Sequence, residues 1–403
     1  MRVLMFGWEF PPHNSGGLGV ACKGIVQGLQ QAGVDVTFVL PQKMNTAGAL
    51  KRVRFADTRH ELTTETARLY NPYLALDRYR ATLKMVSGGG TFMGSLLEQV
   101  LWYAGQARRI AKEEPHDVIH CHDWLTALAG VEAKAVSGKP LVLHIHATEF
   151  DRTGGGDPNP DVFAIEKACM EAADVVVAVS GYTKRLISEH YGIGLEKIAV
   201  VHNVLEPPGN ETGGRDLLAD LKKAGKKLIL FVGRLTLQKG PDWFLKAARR
   251  VIDHEPRAHV VVAGSGDMED QMRDLSWQFG MADKVTFMGF LRGADLASVY
   301  SSADVFVMPS VSEPFGLTCL EAQSYGLPVI ISRQSGVSEV SRHCFKVDFW
   351  DYEDTASKIL SILRHEALKE TFSAEAPKEA HRFGWVDAGG RLRRIYEGLT
   401  GQS

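Results

Sequence analysis

Short β-branched runs alternate with segments of helical period almost from one end of the chain to the other. In the first half they are Val3–Phe6, Val34–Leu40, Val118–His120, Leu141–Ile145, Val175–Val179 and Ile198–Val201. In the second half they are Leu228–Val232, His259–Ala263, Val285–Met288, Val305–Met308, Val329–Ile331 and Phe345–Val347. A strand with one wet face alternates apolar and polar residues. These runs are mostly apolar, which suits strands covered on both faces, as in a parallel sheet flanked by helices. Between the two series lies Asn203–Lys226, with Pro207-Pro208-Gly209-Asn210 and Gly213-Gly214, a turn-rich connector. The pattern predicts an α/β chain of two doubly wound, Rossmann-like domains, 1–205 and 206–381. Ligands are expected where strand C-termini face the cleft between them.

Two segments break the rhythm. Lys43–Gly90 is polar and irregular, ends in Gly88-Gly89-Gly90, and reads as an insertion or an excursion over the cleft. In the tail, Trp385, Ala388, Leu392, Ile395 and Leu399 fall on one helical stripe. Gly389-Gly390 weakens that helix.

Composition narrows the function classes. A chain of 403 residues, 45% hydrophobic and 23% charged, is ordinary globular material for more than one domain. Forty-six basic residues against 48 acidic ones offer no global attraction for nucleic acid or an anionic membrane. Five cysteines without a C-x-x-C pair read as reduced thiols of a cytoplasmic protein. The apolar start Met1–Phe6 is too short for a signal peptide, and no run approaches the roughly 18 apolar residues of a membrane span. A soluble protein is expected.

The most informative residues end the strand that opens the second series: Val232-Gly233-Arg234-Leu235-Thr236-Leu237-Gln238-Lys239-Gly240. Arg234 and Lys239 leave the strand end and enter the next helix, where two cations can converge on one anion. A nucleoside diphosphate leaving group needs such charge, because negative charge grows on it as the glycosyl bond breaks. Ser312-Glu313-Pro314-Phe315-Gly316-Leu317-Thr318-Cys319-Leu320-Glu321 follows the Val305–Met308 strand. Gly316 permits close backbone approach, and the helix it begins offers free N–H groups to a phosphate. Glu313 and Glu321 lie about two turns apart and can touch different parts of one ligand, such as a sugar and a ribose. Alone, either carboxylate would read as a cap or a surface charge.

In the first series, Trp8-Glu9-Phe10-Pro11-Pro12-His13-Asn14-Ser15-Gly16-Gly17-Leu18-Gly19 joins the first strand to the first helix. Gly16 and Gly17 can present backbone amides to a phosphate or sugar. A dinucleotide fingerprint fails on spelling, since Cys22 stands where a third glycine belongs; Gly264-Ser265-Gly266 fails likewise, with Glu269 in that place. His120-Cys121-His122-Asp123 and His144-Ile145-His146 invite a metal reading, because alternate histidines share a strand face. Both motifs, however, end strands that should reach the cleft, where polar residues bind sugar hydroxyls. No D-x-D triplet occurs in the chain.

Taken in order, these residues give the chain a family likeness. It resembles the retaining GT-B glycosyltransferases of the glycogen/starch synthase and sucrose synthase superfamily over nearly its whole length. The likeness rests on the Trp8–Gly19 loop, His122-Asp123-Trp124, His146, Arg234-x4-Lys239 and Glu313-x7-Glu321, and its flavour is that of a glycogen synthase. The resemblance implies a GT-B fold with a C-terminal helix, 382–403, crossing back to the first domain. It implies that Arg234 and Lys239 hold the donor diphosphate beside Gly233, and that the amides of Gly316, Leu317 and Thr318 hold its distal phosphate. Glu313 would bind donor-sugar hydroxyls, Glu321 the ribose, His146 and Asp123 the hexose, with Glu9 on the acceptor side. It further implies UDP- or ADP-glucose as donor, a glucan or other sugar acceptor, no cofactor and no metal. Two departures matter: Asn14 stands where bacterial starch and glycogen synthases carry Lys, and Glu321 is a glutamate they often lack. Both leave the donor base open. A mannosyl or other hexosyl transfer to a small acceptor, a nucleotide-sugar 2-epimerase and a silent sugar-nucleotide sensor are the rival readings.

Overall fold

The computed structural model describes residues 1–11, 17–44, 46, 50–56, 96–203, 205, 215–380, 382 and 384–401. The chain divides into two compact units. One comprises Met1–Glu149, Pro158–Val204 and Gly384–Ser403, the other Phe150–Asp157 and Leu205–Phe383. Phe150–Asp157 thus groups with the second unit, although it lies within 1–205.

The first unit is built on a seven-stranded sheet of β1 (Arg2–Phe6), β2 (Asp35–Leu40), β3 (Val53–Phe55), β4 (Val118–His122), β5 (Leu141–Ile145), β6 (Val175–Ala178) and β7 (Ile198–Val200). Its order is β3-β2-β1-β4-β5-β6-β7, and the pairs are parallel. The central strands β4 and β5 are buried at every position, while the edge strand β3 is only half-buried. That gradient explains the legible apolar runs and the one strand the pattern hides. Val53–Phe55 falls inside Lys43–Gly90, which reads as irregular because an edge strand need not be apolar on both faces. Positions 45, 47–49 and 57–90 of that segment lie outside the described residues.

The second unit holds β8 (Lys227–Val232), β9 (Ala258–Ala263), β10 (Val285–Gly289), β11 (Val305–Met308), β12 (Val329–Ser332) and β13 (Phe345–Val347), in the order β10-β9-β8-β11-β12-β13. All are again parallel. In both sheets the winding direction reverses beside the first strand of the unit, between β1 and β4 and between β8 and β11. Such a reversal leaves a crevice beyond the strand C-termini, the usual ligand position in open α/β sheets. The five cysteines are free thiols, and no helix among the described residues is long and apolar enough to cross a membrane.

The helix Trp385–Thr400 packs on the helix Gly17–Gln31 in the first unit. Trp385, Ala388 and Leu392 are buried, and Ile395 and Leu399 pack at the margin. Tyr396, four residues after Leu392 on the same face, is fully buried as well. Here Gly389 has a use that composition does not reveal. A Cβ on it would lie 2.2 Å from the backbone carbonyl of Gly28, and one on Gly28 would lie 2.0 Å from the carbonyl oxygen of Trp385. The two glycines let the helix backbones touch; what reads as helix weakening is the condition for docking.

Candidate active site

At the reversal point of the second unit, β8 delivers Gly233 and Arg234, and a short 3-10 turn, Leu237–Lys239, delivers Lys239. The loop is fixed by backbone packing. Gly233 N–H donates to the Ala263 carbonyl at 3.1 Å, and a Cβ on Gly264 would lie 1.8 Å from the Gly233 oxygen. Gly266 bears the same relation to the Leu235 oxygen, at 2.3 Å. Gly264 and Gly266 therefore serve the close approach of two loops, a role that the spelling of a dinucleotide fingerprint does not capture.

β11 delivers the other half. Glu313 is buried, and Lys239 Nζ donates to its Oε2 at 2.5 Å. Ser310 Oγ donates to the same oxygen at 3.1 Å. Glu313 N–H bonds the Gln334 carbonyl and its own carbonyl accepts from Gly336, which locks the loop to the segment after β12. The Lys239–Glu313 contact ties the two loops together at the crevice. Arg234, by contrast, is exposed and makes no ion pair among the described residues. One cation of the pair is neutralised and the other is available.

Gly316 begins the helix Leu317–Ser324 with φ 110°, a left-handed conformation, and no side chain caps that helix. A Cβ at Gly316 would press on Met308 and Val337, each at 3.0 Å. Leu317 and Thr318 occupy the first turn, where an uncapped helix offers its N–H groups to an anion. Glu321 is held by the Tyr300 hydroxyl, which donates to its Oε2 at 3.0 Å. Burial raises the Glu321 carboxyl above the usual carboxylate range, and the Tyr300 bond opposes that in part. Ser310 and Tyr300 are partners that no sequence pattern marks.

In the first unit, Glu9 follows β1 and its Oε1 accepts from Gly19 N–H at 3.0 Å, inside the helix that Gly17 opens. Gly16 lies outside the described residues. Asp123 opens the helix Asp123–Ser137 with φ 54°, the one described residue other than glycine with a positive φ. Its Oδ1 accepts from His146 N–H at 2.6 Å and from Ala147 N–H at 3.3 Å. Strain of this kind persists only where surrounding bonds enforce it, and it clusters at functional sites. His146 follows β5, and its Nε2 lies 3.0 Å from His122 Nδ1. Burial holds the His146 imidazole below its usual range, with Asp123 pulling the other way. Within the first unit the structure brings His146 and Asp123 into contact; within the second it joins Lys239 to Glu313.

The comparisons with known proteins show the family and the fold. Residues 15–207 match the model described as "Glycosyltransferase Family 4", and residues 217–379 match "Glycosyl transferases group 1". An uncharacterised glycosyltransferase of Methanocaldococcus jannaschii is 32% identical over 98% of both chains. The chain belongs to the GT-B glycosyltransferases. A glycogen synthase of Mycobacterium tuberculosis is 29% identical to this glycosyltransferase over 84% of its length and 80% of the relative's. A D-inositol 3-phosphate glycosyltransferase of Thermobispora bispora is 32% identical over 73% of each. Among solved structures, the sucrose-phosphate synthase of Thermosynechococcus elongatus superposes with a TM-score of 0.77 at 19% identity, over all of both chains. HepE of Anabaena, solved with UDP and glucose, does so at 0.73 and 17%, over 99% of the glycosyltransferase and 100% of that chain.

Proposed function

We propose that this glycosyltransferase moves glucose, with retention at the anomeric carbon and without a metal, from UDP- or ADP-glucose to a hydroxyl of a glucan or other sugar. The observation that carries the reading is the unpaired Arg234 on the loop that Lys239 ties to Glu313, ahead of the uncapped helix at Leu317. That arrangement fits a group on which negative charge develops. UDP in the Anabaena neighbour and the name of the mycobacterial relative support the donor class.

On this reading Arg234, Lys239 and the amides of Leu317 and Thr318 hold the diphosphate, and Gly233 and Gly316 let it approach the backbone. Glu321 receives the ribose hydroxyls. Glu313 and His146 take the hexose hydroxyls together with the Oδ2 of Asp123, since the amides engage Oδ1 alone. Gly17 adds an amide to the donor, and Glu9 faces the acceptor. The glycosyl–phosphate bond breaks and the acceptor oxygen bonds to the anomeric carbon on the face just vacated. The acceptor proton passes to the leaving phosphate oxygen, so the products are a nucleoside diphosphate and a glycoside. The setting that suits this reading is the cytoplasm, where the five free thiols stay reduced.

A screen of UDP-glucose, ADP-glucose and GDP-mannose, reading nucleoside diphosphate release with and without glycogen, tests this. Release that depends on glycogen supports the glucan reading. Release that instead needs a phosphorylated cyclitol favours a small acceptor, the reading to which the inositol-phosphate relative points. Release without any transferred product points to epimerase chemistry and overturns transfer.

A further inference from the structure

Four histidines stand together at the C-terminal ends of β4 and β5: His120, His122, His144 and His146. Parallel pairing sets His122 opposite His144, and the alternation along each strand keeps all four on one face. Their rings lie 4.4–5.6 Å apart, centroid to centroid. The proposed transfer uses only His146. The other three are 0–1% exposed, and their remaining ring nitrogens are unusual. His120 Nε2, His122 Nε2 and both nitrogens of His144 are buried without a hydrogen-bond partner among the described residues. Buried polar atoms are nearly always paired, so several orphans in one cluster call for an explanation.

The bonds that do exist point one way. His120 Nδ1 meets the Tyr396 hydroxyl at 2.5 Å, and His122 Nδ1 meets His146 Nε2 at 3.0 Å. In the tautomers with Nδ1 protonated, each Nδ1 donates and the lone pair of the ring sits on the orphan Nε2. This is how metal-binding histidines are oriented, the outward nitrogen anchored and the inward one free. One nitrogen from each of His120, His122 and His144 falls within 4.8 Å of the others. Three nitrogens at about 2.1 Å from a tetrahedral zinc ion stand about 3.4 Å apart, so modest ring rotations close the set.

We propose that His120, His122 and His144 form a site for one borderline transition-metal dication of the zinc class, bound behind His146. Imidazole nitrogen selects zinc, cobalt or nickel over magnesium and calcium, which prefer oxygen. The ion replaces the missing hydrogen bonds, fixes β4 to β5 and, through His122, sets the ring of His146. Tyr396 acts as a positioning residue through His120.

The test uses the full chain stripped with a strong chelator, then equilibrated with cobalt(II) or zinc alone and freed of loose metal by gel filtration. One equivalent of retained metal, with the visible absorption of tetrahedral cobalt, is the expected result. His144→Leu removes a ligand and two orphan nitrogens. It should retain no metal while its metal-free melting temperature equals or exceeds that of the parent. Tyr396→Phe should weaken cobalt binding about 10–100-fold. Absence of bound metal in the parent chain at tenfold excess overturns the proposal, whatever the variants do. Stoichiometric metal that survives in folded His144→Leu overturns it too, since the ion then resides elsewhere.

Discussion

Asp123 Oδ1 accepts the backbone N–H of His146 at 2.6 Å, so the strained turn that ends β4 is braced by the first residue beyond β5. The two substitutions at Asp123 should therefore separate support from chemistry. Asn tolerates the left-handed conformation and keeps an acceptor; Asp123→Asn should unfold within about 1 kcal/mol of the parent yet lose transferase activity. Asp123→Ala loses a charge-assisted bond and adds backbone strain, about 2–4 kcal/mol together. Urea denaturation beside an initial-rate assay distinguishes them. Equal stability of the two variants would sink the bracing role.

Arg234 makes no ion pair among the described residues, so its removal should leave the fold intact. Charge-assisted bonds to phosphate are worth about 1.5–3 kcal/mol each. Arg234→Ala should lose about 10²–10⁴ in kcat/KM, much of it in kcat, because the leaving diphosphate gains charge at the transition state. Arg234→Lys should recover little, as an ammonium cannot copy the planar fork. Full activity with an unchanged donor KM would remove Arg234 from the mechanism.

Neighbouring glycines in the last helix should respond with opposite signs. A methyl on Gly389 meets the Gly28 backbone at 2.2 Å, whereas one on Gly390 meets nothing within 4 Å. Gly389→Ala should cost about 2–3 kcal/mol or more by forcing the helices apart. Gly390→Ala should add about 0.5–1 kcal/mol through helix propensity. Thermal melts of both variants check this, and two shifts of the same sign would contradict the crossing.

Glu321 carries a pH signature. Its carboxyl is raised by burial, so the folded chain keeps that proton to higher pH than the unfolded chain does. When both states are protonated, at low pH, the group contributes nothing; as pH rises through its titration, the folded state alone bears a buried charge and loses stability. Glu321→Gln keeps an acceptor for Tyr300 and removes that charge. Its melting temperature should match the parent in acid, exceed it increasingly as pH rises, and then level off. Donor KM should rise by about tenfold if Gln binds the ribose less well. A melting difference that is constant with pH would rule out the buried charge.

On the proposed mechanism, side chains and a helix end meet the charge on the leaving group. Transfer should accordingly proceed at full rate with no added magnesium or manganese and after brief treatment with EDTA. Activity abolished by EDTA and restored by either ion would show that a hard cation takes part in the step.

The apolar runs reveal both sheets because parallel strands are buried on two faces, and the one strand they hide, Val53–Phe55, is a half-exposed edge. Arg234, Lys239, Glu313 and Gly316 stand out in the sequence because the proposed diphosphate site restricts the residue types at a strand end. Their supports are less so. Ser310, Tyr300 and the Gly264–Gly233 approach depend on which loops the fold brings together, and local spacing carries no trace of that. Tyr396 is the clearest case. It lies on the same helical face as Trp385, Ala388 and Leu392, but its hydroxyl meets a histidine far away in the chain, and local spacing does not reveal that partner.

The docking of Trp385–Thr400 on Gly17–Gln31 also sets a timetable. Arg393 donates to the Ala32 carbonyl across a separation of 361 residues. At about 5–20 residues per second, translation leaves roughly 20–70 s between the synthesis of the two partners. Throughout that interval the groove prepared by Gly24 and Gly28 has no indole to receive, and by its end every strand of the second unit has been made. The unit that begins the chain is therefore completed after the second one, and until then its first helix keeps an uncovered apolar face.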